Sequence, residues 1–539
     1  MADVKARLPQ VVAVVVAVAF VAALHASNDG LWFQGDAPRH AVNGLFVWDW
    51  LRSLPSSSVW SPIAYAIRYY ARYPVIAPAT YPPLFYLLEG AAFQILGPSG
   101  ELAKALILAF TAVTAVYTMG WARRWIGPAW GWAGAFVPLL PGVVMWSNVV
   151  MLNVPAMALS VACLYHVRRW LESREPRQLA FAVAFLIAGL LTYYQTAVIA
   201  LVCAIWLVLL DPRSRLGWRQ LSILGAGALL ALVPLLFAIY IAPVQLTRHL
   251  PSVERLMRLD TWTFYPALLP QVTGFVALTL GAIGLAAGWS DPRWRHEAAF
   301  LTTWIAAILL SFTLLPARDV RYILTVAPAF VVAVAMALRT ASERFPADAR
   351  WRGILLTACA IAGLAIASRV SVPHATGLRE IADFLDRRAP REAVLYDGFY
   401  DGVLGFYLRA RDPLFERRMV RGGSLLYHYG QTRSFRWVET SELKTADEVV
   451  KALRERCGCP WIAVEIGPLA RQAKTARLLR QTVERPDFEL VQSFPVDAPW
   501  ASRVDLYHLR GPIAEVTSFD LSFPSFSDRI FENVAPVVR

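Results

Sequence analysis

LWFQGDAPRHAVNGLFVWDW, residues 31–50, separates a first apolar run from the many apolar runs that follow it. The first run, residues 11–24, comes after Lys5 and Arg7. That order favours an uncleaved membrane span with a cytoplasmic N-terminus over a signal-peptide core. Asp36 is then expected close to the outer membrane surface. A carboxylate held at a membrane surface, with cations next to it in sequence, is a candidate functional site.

The composition indicates that most of the chain lies in a membrane. Of the 539 residues, 57% are hydrophobic and 17% are charged, whereas soluble domains carry roughly 25% charged residues. This balance and the repeated apolar runs predict a polytopic membrane protein with an appended polar domain. The formal net charge is +13, and Arg residues fall in short loops between apolar runs, as the positive-inside rule describes. We therefore expect no nucleic-acid partner.

The Arg-bearing loops set the expected topology. Each later apolar run can span a membrane with some tilt; the runs are 102–121, 129–147, 150–167, 178–193, 196–210, 221–243, 267–288, 298–315, 321–338 and 353–368. The loops expected in the cytoplasm are Arg123–Arg124, Arg168–Arg177, Arg213–Arg219, Arg293–Arg295 and Arg339–Arg352. The expected outer loops are 25–101, 147–153, 193–195, 244–266 and 315–321.

This alternation leaves no crossing for the short apolar segment Pro82–Gly97. The segment has Glu89 inside it, and we expect a juxtamembrane or re-entrant helix on the outer side. The count is then about eleven spans, with the C-terminus outside the cell. If Pro82–Gly97 crossed, the later loops would invert and the positive-inside pattern would fail.

The composition changes after about residue 372. Four segments read as strands and two as amphipathic helices; they are 393–398, 461–467, 488–496 and 503–511, and then 377–388 and 445–457. Thr445 and Glu448 have the spacing of a capping box. We therefore expect a mainly α transmembrane domain over residues 1–372, whose first outer loop is 25–101, and a soluble extracytoplasmic α/β domain over 373–539.

Three groups of residues in the outer loops could carry chemistry. Asp36 could accept a proton from an acceptor hydroxyl or amine, although Gly-Asp-Ala-Pro also reads as a turn that starts a helix. Arg318 and Arg321, with Tyr322, could hold a phosphate, and the alternative is an exposed turn with solvated charges. Arg248 and His249 could order a loop over a bound headgroup, or form a solvated basic loop near anionic lipid.

Other chemistries have little support in the sequence. No His/Asp/Glu cluster has metal-ligand spacing. The sequence therefore assigns no cofactor, and whether a divalent metal is needed stays open. Gly-x-Ser-x-Gly is absent, which leaves hydrolase chemistry without support. Cys457 and Cys459 form a CGC sequence, and the spacing leaves open whether they are bridged.

The motifs together resemble the GT-C glycosyltransferases, in particular the protein O-mannosyltransferase-like and aminoarabinose-transferase-like family. The resemblance rests on GDAPRHAVNG, YPPLFYLLEGAAFQILG and RDVRYILTVAP, and it covers about residues 1–370. It implies that Asp36 is the catalytic base, that Tyr81 and the two prolines after it start a juxtamembrane helix, and that Arg321 and Tyr322 lie near the lipid phosphate. The chain departs from the family at Ala37, where a second acid is common, and at Tyr81, where Lys or His is common.

The resulting hypothesis is an inverting glycosyltransferase of the cell envelope, in the inner or plasma membrane. Its donor would be a polyprenyl-phosphate sugar and its acceptor a glycan, lipid or protein, with membrane lipids around the spans. Asp36 would be catalytic, and the expected substrate-binding residues are Arg39, His40, Tyr81, Arg248, His249, Arg318, Arg321 and Tyr322. The alternatives are a membrane transporter or lipid flippase, which predicts polar residues at mid-span, and a non-catalytic envelope scaffold.

Overall fold

The structure is a computed structural model that describes residues 2–536 except 34–35, 55–60, 78–79, 211–216, 242–252, 316, 345–348, 427, 432–436, 441–442, 469–473 and 523–529. Arg248 and His249 lie outside the described residues. By contacts, the chain divides into two compact units. The first unit is Met1–Ser27 with Lys104–Val372, and the second is Asn28–Ala103 with Pro373–Arg539. The residues expected to form the first outer loop thus share a unit with the C-terminal part of the chain.

Helices dominate the first unit. They are α1 (Ala2–Leu24), α5 (Gly100–Trp121), α6 (Pro141–Ser147), α7 (Asn153–Ser173), α8 (Pro176–Leu190), α9 (Ala197–Ala204), α10 (Trp218–Ile241), α11 (Val253–Leu256), α12 (Leu259–Thr273), α13 (Phe275–Ser290), α14 (Arg295–Leu314), α15 (Ala327–Arg344) and α16 (Ala349–Ala367). Shorter 3-10 or π segments lie at Ala122–Ile126, Pro128–Leu139, Tyr194–Thr196, Ile205–Leu210 and Val320–Val326.

Length and hydropathy identify the helices that can cross a membrane. Among the described residues, four are long and apolar enough, and the number rises to six if each of two bent helix pairs counts as one span. Four shorter apolar helices accompany them: Leu84–Leu96, Pro176–Leu190, Tyr194–Leu207 and Gly353–Ala367. The count of about eleven spans stays a prediction, because it depends on how these shorter and bent helices lie in the bilayer.

One end of the first unit gathers the Arg residues expected in the cytoplasm. Arg123 contacts Gln10 on the N-terminal helix (2.6 Å), and Arg168 pairs with Glu297 (3.0 Å). Arg293 and Arg339 both pair with Glu343, at 3.1 Å and 2.9 Å. Four of the five loops that the positive-inside rule places together therefore meet at one end of this unit, and residues 211–216 of the fifth loop lie outside the described residues.

The opposite end of the first unit gathers the segments expected outside. The Asn153 side-chain amide donates to the Arg321 carbonyl (3.3 Å), and Arg318 donates to the Thr261 hydroxyl (2.7 Å). Helices α7, α14 and α15 each run between the two ends. At 1.5 Å per residue, the 21 residues of α7 extend about 30 Å, which is the thickness of a bilayer core.

The second unit combines a helical segment with a sheet. Its helices are α2 (Asp36–Ser53), α3 (Pro62–Arg72), α4 (Leu84–Leu96), α17 (Leu378–Arg388), α18 (Asp401–Ala410), α19 (Gly422–Leu425), α20 (Ala446–Lys451) and α21 (Lys474–Thr482). Its strands are β1 (Val394–Asp397), β2 (Met419–Arg421), β3 (His428–Gln431), β4 (Trp437–Thr440), β5 (Trp461–Ile466), β6 (Phe488–Ala498), β7 (Ala501–Leu509), β8 (Phe519–Ser522) and β9 (Ile530–Val534).

Five of these strands form one mixed sheet in the order β2-β1-β5-β7-β6. β2 and β5 run parallel to β1, and β7 pairs antiparallel with β5 and β6. The four strand predictions are confirmed as β1, β5, β6 and β7, and the capping box of Thr445 with Glu448 is present at the start of α20. The predicted fold class, mainly helical with a C-terminal α/β part, is confirmed. Cys457 and Cys459 form a disulfide.

Candidate functional site

Asp36 is the first residue of α2. Its backbone N–H donates to the Phe33 carbonyl (2.9 Å), so the turn read from Gly-Asp-Ala-Pro does lead into a helix. A carboxylate in a first helical turn is stabilised by the partial positive charge of that helix end. The position suits a fixed negative charge, whether its role is structural or chemical.

A cluster of His40 and two tyrosines lies one helical turn beyond Asp36. The Nδ1 atom of the buried His40 hydrogen-bonds the Tyr86 hydroxyl on α4 (2.7 Å), and the Tyr81 ring centroid is 4.6 Å from that of His40. Burial raises the pKa of Tyr86, and the charge of Asp36 is among the smaller causes. The structure thus brings the predicted residues Asp36, His40 and Tyr81 together at the starts of α2 and α4. Arg39 is half-buried on α2.

Helices α2 and α4 cross closely where glycines face each other. A Cβ on Gly90 would lie 2.5 Å from the Gly44 carbonyl oxygen, and one on Gly44 would lie 2.5 Å from Glu89 Oε2. The Glu89 carboxyl is fully buried, and neither oxygen has a hydrogen-bond partner among the described residues. Burial raises the pKa of this carboxyl well above its ordinary value, because the charged form loses its hydration.

A second buried group at α2 was not anticipated from the sequence. Arg409 on α18 forms an ion pair with Asp49, and their side chains are 5% and 7% exposed. Asp49 and Arg409 are 360 residues apart, and no motif surrounds either of them. No local signal in the sequence therefore identifies this pair.

Arg321 lines a small polar cavity in the first unit. Three of the five expected outer loops, 147–153, 193–195 and 315–321, meet there. The lining residues are Asn153, Ala156, Ser160, Tyr193, Gln195, Thr196, Ile199, Ile308, Phe312, Arg321, Tyr322 and Thr325. Among these described residues Arg321 is the only charged one. The cavity has a free volume of about 10 Å³, which holds roughly one water molecule, so a headgroup has to widen it to enter.

Several polar atoms in this cavity are buried without a partner. Within the described part of the chain, Asn153 Oδ1, Ser160 Oγ and Thr196 Oγ1 have no hydrogen-bond partner. Leaving such an atom unsatisfied costs about 1–3 kcal/mol. A ligand or water that supplies hydrogen-bond donors would therefore be stabilised here.

The Arg321 guanidinium is oriented by its surroundings. Its Nε lies 3.3 Å from Asp319 Oδ2, and its carbon atom Cζ lies 5.5 Å from the Tyr322 ring centroid. Arg318 is placed differently: it contacts Thr261 (2.7 Å) and lies over the Phe264 ring, and it does not line the cavity. The predicted pair of guanidinium groups is thus divided between two environments.

No group of three or more His, Cys, Asp or Glu side chains among the described residues could hold a metal ion. Asp36 and Arg321 belong to different compact units.

Comparisons with known proteins place the chain by fold. No family model matches it, and no curated protein matches its sequence. The structure of ArnT from Cupriavidus metallidurans bound to undecaprenyl phosphate is similar, with a TM-score of 0.61 and 14% identity over 94% of this chain and 99% of that chain. The apo structure of the same protein gives a TM-score of 0.58 and 17% identity over the same shares of the two chains.

A second kind of protein shares the fold. The Archaeoglobus fulgidus oligosaccharyltransferase in its apo form matches with a TM-score of 0.52 and 12% identity, over 85% of this chain and 69% of that chain. At these identities the similarity establishes the fold alone. The chain therefore shares the fold of these ArnT and oligosaccharyltransferase structures, which is the GT-C fold expected from the sequence motifs.

Proposed function

We propose that the chain is an integral membrane glycosyltransferase that moves a sugar from a polyprenyl-phosphate donor to an acceptor on the outer side of the membrane. The observation that carries the proposal is the meeting of the expected outer loops 147–153, 193–195 and 315–321 at a polar cavity, where Arg321 is the only charged lining residue among those described. The fold supports it, because a similar structure holds undecaprenyl phosphate and another holds a dolichol-phosphate with an inhibitory peptide.

Arg321 is proposed to bind the donor phosphate. A guanidinium makes strong charge-assisted hydrogen bonds to phosphate oxygens. When the bond between the sugar and the phosphate breaks, negative charge grows on the leaving phosphate, and a fixed cation stabilises it without a general acid. Asp319 holds the guanidinium from one side, so Arg321 is partly preorganised for this role.

Asp36 is proposed to act as the general base. It takes the proton from the acceptor hydroxyl or amine while the acceptor atom bonds to the anomeric carbon of the sugar. The bond from that carbon to the phosphate oxygen breaks, and polyprenyl phosphate leaves with the bonding electrons. Because attack and departure occur on opposite faces, the configuration at the anomeric carbon inverts. His40 and Tyr81 are proposed to shape the surroundings of the base.

The test separates donor binding from transfer. Asp36→Asn should abolish transfer, measured by mass spectrometry after incubation of native membranes with a panel of undecaprenyl-phosphate sugars, and should leave binding of undecaprenyl phosphate unchanged. Arg321→Ala should weaken that binding. Arg258→Ala is the matched control, because Arg258 is 68% exposed and lies in another expected outer loop.

The outcomes discriminate between the candidate functions. Normal transfer by the Asp36→Asn protein would remove Asp36 from the mechanism. If the wild-type protein moves lipid across vesicles but transfers no sugar from any donor, it is a flippase and the glycosyltransferase proposal is wrong.

A further inference from the structure

The helix that begins at Asp36 is fixed near its other end by the buried pair Asp49–Arg409. The pair joins α2 to α18, which belongs to the C-terminal part of the same compact unit. Arg409 Nε also donates to the Tyr69 hydroxyl (2.8 Å), and that hydroxyl donates to Asp49 Oδ2 (3.1 Å). Arg409 Nη1 donates to the Asp412 carbonyl (2.9 Å). The guanidinium is therefore held in one orientation by three groups.

A second set of buried hydrogen bonds links Tyr73, four residues after Tyr69, to Asp412, which follows α18. The Tyr73 hydroxyl donates to Asp412 Oδ2 (2.5 Å), and the Arg417 backbone N–H donates to the same oxygen (3.0 Å). Asn43 on α2 then connects to this segment, because its Oδ1 accepts from the Ala77 N–H (3.0 Å). Fully satisfied buried networks of this kind fix a single geometry.

Side-chain packing adds to the polar contacts. A Cβ on Gly405 of α18 would lie 2.9 Å from both methyl groups of Val75, so the helix approaches the 73–77 segment as closely as a glycine allows. The neighbouring Phe406 ring lies 6.0 Å from that of Phe93 on α4. The next residue, Tyr407, donates its hydroxyl hydrogen to Asp29 Oδ2 (2.6 Å).

We propose that Asp49 and Arg409 are positioning residues for Asp36, and that residues 373–539 serve to hold the α2 helix in its catalytic placement. The inference rests on the proposed function of Asp36. Neither Asp49 nor Arg409 touches a reacting atom in this scheme. Their effect passes along α2, which is a continuous helix from Asp36 to Ser53.

The energetics favour positioning over simple stabilisation. Two buried charges lose their hydration, and the replacement of such a pair by apolar residues of similar volume is often neutral or stabilising. Removing only one partner leaves a buried charge without compensation, which is strongly destabilising. The double substitution Asp49→Leu/Arg409→Met therefore removes the fixed orientation while it keeps the packing.

The test measures transfer and donor binding in the full-length protein, with a polyprenyl-phosphate sugar on which the wild type is active. The double variant should keep its unfolding temperature and its affinity for undecaprenyl phosphate. Its kcat should fall by about 100-fold, since a misplacement of roughly 1 Å can cost that much. Tyr396→Phe is the matched control: it removes a buried hydrogen bond to Glu465 (2.6 Å), which joins two strands within residues 373–539, and should leave kcat unchanged.

A steric variant tests the same idea without a change of charge. Gly405→Ala should lower kcat because the new methyl group pushes against Val75, and Val75→Ala in the same chain should restore it. If the folded Asp49→Leu/Arg409→Met protein has wild-type kcat, the positioning role is wrong while the glycosyltransferase proposal stands. If the wild type transfers no sugar from any donor, the proposed function itself fails.

Discussion

Glu465→Gln should remove a pH dependence from the stability of this protein. Glu465 lies on β5 and is fully buried. Its Oε2 accepts hydrogen bonds from the Tyr396 hydroxyl (2.6 Å) and from the backbone N–H groups of Phe399 (2.8 Å) and Tyr400 (3.0 Å). Burial, with a smaller contribution from the charge of Asp397, raises the pKa of this carboxyl from 4.5 to about 7, and the three hydrogen bonds only partly oppose this shift.

The sign and size of the effect follow from the two pKa values. Between pH 4.5 and pH 7 the folded protein keeps a proton on Glu465 that the unfolded chain has released. The contribution of Glu465 to the free energy of unfolding is therefore largest below about pH 4.5, and it falls as the pH rises to 7. The pKa values of 4.5 and about 7 differ by about 2.5, and each unit is worth 1.36 kcal/mol, so the loss is about 3 kcal/mol.

The assay is thermal unfolding of the full-length protein in detergent from pH 5 to pH 8. The wild-type unfolding temperature should fall over this range relative to that of Glu465→Gln, since the amide stays neutral. Glu489→Gln is the matched control, because Glu489 is 54% exposed and paired with Arg510 at the surface. Curves for wild type and Glu465→Gln that run parallel across the whole range would refute the reasoning.

Two further predictions concern packing and the disulfide. Gly90→Ala should destabilise the protein by about 1–3 kcal/mol through overpacking, because its Cβ would meet the Gly44 carbonyl oxygen at 2.5 Å. Gly225→Ala is the control and should be neutral, because the space around its Cβ is open. Equal unfolding temperatures for the two variants would contradict the close crossing of α2 and α4. Reduction of the Cys457–Cys459 bond should lower the free energy of unfolding by only about 1.6 kcal/mol, since the chain-entropy model assigns little stabilisation to so short a loop. The measurement is denaturant unfolding with and without reductant. A loss several times larger would show that the bond does more than restrict the unfolded chain.

Local patterns were sufficient for most of the secondary structure. Short apolar runs identified β1 and β5, and the Thr445 capping box marked the start of α20, because these signals lie within a few residues of each other. The Arg-bearing loops were predicted to share one side, and the contacts of Arg123, Arg168 and Arg339 now gather at one end of the first unit.

The candidate site was only partly predictable. Asp36, Arg321 and Tyr322 stood out through charge, position and motif, and their chemical roles are still proposals. Arg318 was grouped with Arg321 because they are close in sequence, yet only Arg321 lines the cavity. Arg318 precedes the 3-10 segment Val320–Val326 and Arg321 lies within it, so the directions of the two side chains depend on the surrounding helices and do not follow from their spacing.

The amino-acid sequence by itself determined that this is a membrane protein with a C-terminal α/β part, because hydropathy and periodicity are properties of neighbouring residues. Only the tertiary structure decided that residues 28–103 form a unit with residues 373–539, and that Asp49 meets Arg409 across 360 positions. A buried charge requires a partner, but the requirement does not say which of many charged residues will supply it. That choice is made by the packing of α18 against α2.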